Sequence, residues 1–87
     1  MIVVLDRQHV GKPGKDDRGA QTEINGETVY EIDLTAGYID AAVALLSAEG
    51  HTVHVLESGW YGERHERAAE IARDNPHELV AYVASHV

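Results

Sequence analysis

The chain has 87 residues, 44% of them hydrophobic, with no cysteine and a formal net charge of −8 at pH 7. That length makes one domain (residues 1–87) near the lower limit for a self-sufficient core, and the apolar content excludes a disordered chain. Disulfides and thiolate metal sites are excluded outright, and a nucleic-acid partner is disfavoured, because the stretch from Gly19 to Glu63 carries eight Asp and Glu and no Lys or Arg.

Residues 1–6, "MIVVLD", form a short continuous apolar run, the pattern of a strand covered on both faces. A loop rich in Gly, Pro and charge follows, "RQHVGKPGKDDRGA". Its "GKPGK" lacks the Gly-Lys-Ser/Thr ending of a phosphate loop. In "QTEINGETVYE", Asn25-Gly26 sits between β-prone residues, and both positions of a type I′ turn accept positive φ, so a hairpin is predicted here.

Ile32, Ala36, Ile39, Val43 and Leu46 then recur at spacings of four and three, one apolar stripe of a helix that Gly50 ends. "HTVHVLES" alternates Val53 and Val55 with polar neighbours and reads as a second core strand. The segment "GWYGERHERAAEIARDNP" reads as a polar helix with a small apolar face of Ala68, Ile71 and Ala72, closed by Asn75-Pro76. "HELVAYVASHV" is the third core strand. Strands alternating with helices imply parallel βαβ units with right-handed crossovers. The expected fold class is α/β, a small three-layer βαβαβ domain with a three-stranded parallel sheet, the first strand central, and a β-hairpin before the first helix.

Ligands of parallel α/β sheets collect beyond the carboxyl ends of the strands. His9 and His86 lie at or past such ends, and Glu31 stands where the long helix begins. His, Glu and His arriving from three elements suit a zinc ion with three protein ligands and an open fourth position. Each residue also has a separate structural explanation. His9 suits a polar loop, Glu31 suits a helix start favoured by the macrodipole, together with Asp33, and His86 suits a frayed terminus. The metal reading accounts for all three at once.

The chain resembles the zinc-dependent N-acetylmuramoyl-L-alanine amidases of the amidase_3 type, over the N-terminal half of that family. Asp6-Arg7-Gln8-His9-Val10-Gly11 stands where the family has Asp-Pro-Gly-His-Gly-Gly, and Asp17-Arg18-Gly19-Ala20 matches its Asp-Pro-Gly-Ala. Glu31-Ile32-Asp33-Leu34 fits its Glu-x-Asp-Leu helix start, "LLSAEGHTVHVLES" its helix, glycine and valine-rich strand, and His86 the histidine that ends a strand. The resemblance implies zinc held by His9, Glu31 and His86, and hydrolysis of the amide between muramic acid and the peptide stem of peptidoglycan. Arg7, Gln8 and Val10 replace the proline and two glycines of the first motif, and Ser85 directly precedes His86 instead of standing two positions before it. The later half of the family, with its acid/base glutamate, has no counterpart in these residues, so the catalytic acid/base is unknown; Glu23, Glu27 or a second chain are the candidates.

The resemblance further implies a peptidoglycan or muropeptide substrate and a phage association, with activity completed by a partner chain. The alternative is a non-catalytic, amidase-derived structural or binding module, such as a virion component. In either case an edge strand of the sheet needs cover, which a homo-oligomer or a partner chain would supply. No run is long enough for a membrane span and no signal peptide precedes the first strand, so no location is assigned. Trp60 and Tyr61 either cap the core or stack on a ligand. Lys12, Lys15, Asp16 and Asp17 read as a solvated loop near His9, His51 and His54 as exposed edge residues, and His65 as solvated.

Overall fold

Val4 is wholly buried, and Ile2, Val3 and Leu5 are nearly so. A strand with four consecutive buried aliphatic residues must lie inside a sheet covered on both faces, and the computed structural model, which describes residues 1–85, places it there. The elements are β1 (Ile2–Arg7), β2 (Gln21–Ile24), β3 (Glu27–Tyr30), α1 (Glu31–Ala48), β4 (Thr52–Leu56), α2 (Tyr61–Asp74) and β5 (Val80–Ser85). β4, β1 and β5 form a parallel sheet in that spatial order, with Val4 opposite His54 on one side and Tyr82 on the other. The α/β class, the central first strand and the hairpin ahead of α1 are as expected from the sequence.

Successive β1 side chains point to opposite faces. Val3 and Leu5 pack with Ile39, Ala42, Val43 and Leu46 of α1 and with Val53 and Val55 of β4. Ile2 and Val4 pack with Ala68 and Ile71 of α2, Leu56 and Val80. Burying each such aliphatic side chain contributes about 1.5–3 kcal/mol.

Two details differ from the predicted faces. The buried stripe of α1 runs through Glu31, Thr35 and Ile39, and the Thr35 hydroxyl donates to the Ile32 carbonyl and so tolerates burial, while Ile32 and Ala36 lie at its margin. On α2, Ala72 is exposed and Arg64 is buried instead. The hairpin turn takes positive φ at both Asn25 and Gly26, 53° and 81°, as a type I′ turn requires. Among the described residues no helix is long and apolar enough to cross a membrane.

Candidate functional site

The chain leaves β1 at Arg7 and enters the loop of residues 8–20, which returns to the first turn of α1. A fully buried guanidinium anchors its beginning. Arg64 reaches from α2 to Asp6 Oδ1 at 2.6 Å and to the carbonyls of Arg7 (2.6 Å), Gly59 (2.9 Å) and Val10. Asp6 Oδ2 accepts from Gln8 Nε2 at 2.8 Å and from the Tyr82 hydroxyl. Every lobe of this ion pair has a partner, which is what makes burial of two charges tolerable. Burial and the bond to Asp6 push the Tyr82 phenol up to about 12.

The end of the loop is fastened to α1. The first amides of a helix have no partner within it, and here Glu31 N donates to the Ala20 carbonyl at 2.8 Å and Ile32 N to the Arg18 carbonyl at 3.3 Å. Asp33 Oδ2 accepts from Tyr30 N at 3.0 Å, so Asp33 serves the helix start while Glu31 is left to face inward. Arg7 adds a bond from its guanidinium to the Ile32 carbonyl at 2.9 Å.

Between these anchors His9 stands with φ of 71°, the left-handed region that few residues other than glycine occupy. Its ring lies between two carboxylates. Nδ1 is 3.0 Å from Asp17 Oδ2, and Nε2 is 3.2 Å from Glu31 Oε2. Asp17 is held well below the usual aspartate range, first by Lys12, whose Nζ donates at 2.5 Å, then by His9, then by the Gly19 amide on Oδ1 at 3.0 Å. An ionised carboxylate only accepts, so the hydrogen of this contact belongs to Nδ1. Nε2 faces Glu31 Oε2 at 3.2 Å, a contact that a shared proton or a bound cation would join.

Gly19 allows this approach. With φ of +74°, it passes so close that a Cβ there would lie 2.7 Å from the Glu31 Cβ and 2.9 Å from the His9 Cδ2. Lys12 is nearly buried. Its ammonium also donates to the Tyr61 hydroxyl at 3.1 Å and lies 4.4 Å from the Tyr61 ring centroid and 5.7 Å from that of Trp60. Both Asp17 and Tyr61 hold the lysine charged, raising its pKa. Beside Glu31 a cavity of about 190 Å³ is lined by Ala20, Gln21, Thr22, Val29 and Leu34. That is room for one side chain of a ligand, not for a whole drug-sized molecule.

Of the three residues predicted as metal ligands, His9 and Glu31 are brought together, and His86 lies outside the described residues. β5 ends at Ser85, whose hydroxyl donates to the Asp6 carbonyl at 2.9 Å and which pairs with Arg7, two residues before His9. Among the described residues no group of three His, Asp or Glu is arranged to hold a metal. The pair itself fits zinc. Two donors bound at about 2.0–2.2 Å in a tetrahedral shell stand about 3.3–3.6 Å apart, and the observed 3.2 Å lies just below the short end of that range.

Asp17 and Lys12 are not a solvated loop, as their composition suggested. They are the inner support of His9, a role to which no signal in the sequence pointed. Glu23 and Glu27 are exposed on the hairpin. Trp60 and Tyr61 are about two-fifths exposed beside Lys12, not sealed against the core. His65 is exposed as expected, whereas His51 and His54 are half-buried, because β4 packs under both helices. No family model, no curated protein and no solved structure matches this chain.

Proposed function

We propose that the chain is an amidase-like hydrolytic domain in which His9 and Glu31 hold a zinc ion, with His86 as the third protein donor and the amide of peptidoglycan as substrate. The observation that carries this reading is the His9–Glu31 pair. His9 Nε2 and Glu31 Oε2 lie 3.2 Å apart at the carboxyl edge of the sheet, with the far side of the imidazole held by an ionised carboxylate. Zinc supplies, when bound, a Lewis acid for the carbonyl oxygen and a water of lowered pKa. His9 Nε2 and Glu31 Oε2 donate to the ion, Asp17 orients the imidazole, and the cavity between the hairpin and α1 receives a ligand group next to Glu31.

Metal content by plasma mass spectrometry, run beside a peptidoglycan-release assay, tests the reading. About one zinc per chain, lost in His9→Ala and in Glu31→Ala while the far-ultraviolet circular dichroism is kept, is the expected result. Unchanged zinc stoichiometry in both variants would sink the assignment.

A second reading, a non-catalytic structural or binding module, draws support from the β5 edge. Residues 80–85 carry no charge, and Leu79, Tyr82 and Val83 are 72%, 38% and 46% exposed. Native sheets seldom leave such an edge uncovered. Zinc binding without release of stem peptides would favour this reading.

A further inference from the structure

We infer that Asp17 is the positioning residue of the metal pair, accepting the Nδ1 hydrogen of His9 and thereby selecting the tautomer whose Nε2 lone pair faces Glu31. The inference rests on the proposed His9–Glu31 site. It assigns to a loop aspartate, itself no donor to the metal, the choice of which imidazole nitrogen is available.

Three fixed contacts support it. Asp17 Oδ2 meets both His9 Nδ1 at 3.0 Å and Lys12 Nζ at 2.5 Å, while Oδ1 accepts the Gly19 amide at 3.0 Å. With both oxygens engaged, the carboxylate cannot rotate away from the ring. Lys12 is immobilised in turn by the hydroxyl and ring face of Tyr61. A chain of contacts therefore runs from Tyr61 on α2 through Lys12 and Asp17 to His9, and the turn that presents Asp17 also places Gly19 between His9 and Glu31. Were Asp17 only an anchor for Lys12, the ion pair alone would suffice and the ring nitrogen would need no place on the same oxygen. Histidines that bind metals characteristically donate their other ring hydrogen to such a carboxylate, which fixes ring orientation and raises donor strength.

Asp17→Asn separates this role from simple anchoring. The amide keeps the shape of the carboxylate but can donate to Nδ1, which moves the hydrogen to Nε2 and sets it against Glu31. Long-range proton–nitrogen NMR of the metal-free protein at pH 9, with the His9 signals assigned by their loss in His9→Ala, reads the tautomer directly. The expected result is hydrogen on Nδ1 in the unaltered protein, a switch toward Nε2 in Asp17→Asn, and a loss of zinc affinity of about 10–100-fold. An Nε2–H tautomer in the unaltered protein overturns the inference, whether or not the variant folds. So does a folded Asp17→Asn with unchanged tautomer and zinc affinity within twofold. An Nδ1–H tautomer that switches in Asp17→Asn, in a protein that takes up no zinc, upholds the role of Asp17 and fails the metal reading alone.

Discussion

Two ion pairs stand a few residues apart at the carboxyl end of β1, and they differ in how far their surroundings seal them from solvent. Asp6–Arg64 is wholly buried, and its guanidinium spends its remaining donors on three backbone carbonyls, while the second carboxylate oxygen accepts from Gln8 and Tyr82. His9–Glu31 is partly open, with side-chain exposures of 19% and 8%, and its two atoms stand 3.2 Å apart. The first arrangement is complete and can only hold the fold. The second keeps part of its surface open to solvent, as a binding site must. Arg64 serves the site indirectly, because two of the three carbonyls it gathers, those of Arg7 and Val10, flank His9 in the chain.

The comparison is broken most severely at Arg64. Arg64→Met would strand a buried carboxylate and release the His9 loop, at an expected cost of about 3–5 kcal/mol in urea unfolding. A loss under about 1 kcal/mol would show that the buried pair is not the anchor described. Next in size, Gly19→Ala places a methyl against both His9 and Glu31 in a backbone conformation that costs an L-residue about 1–2 kcal/mol. The expected outcome is a modest drop in melting temperature with loss of zinc uptake; normal zinc titration would show that the close approach of Gly19 does not set the pair. Smallest is Tyr82→Phe, which removes one bond to Asp6 at about 1 kcal/mol.

The pH dependence of that last bond has a definite sign. The unfolded tyrosine releases its proton near about pH 10, whereas the folded phenol keeps it until about 12. Stability from Tyr82 is therefore fully present below pH 10 and is lost as the pH rises toward 12. Unfolding free energies measured across that window should fall more steeply for the unaltered protein than for Tyr82→Phe, and parallel slopes would remove Tyr82 from the buried network.

The element order, the central strand and the turns were legible in the residues, because each follows from short-range physics. A continuous apolar run has to be covered on both faces, Asn25-Gly26 admits two positive φ angles, and Gly50 closes a helix. His9 and Glu31 were legible as a pair through their places at a strand end and a helix start. Lys12, Asp17 and Arg64 were not. Periodicity reports which apolar side chains are buried, and it reads charged residues as solvated unless a partner is known. Arg64 meets Asp6 across 58 residues, and Lys12 meets Tyr61 across 49. Only the packing of α2 against the end of β1 decides that these charges leave water together, and with them which nitrogen of His9 is turned toward Glu31.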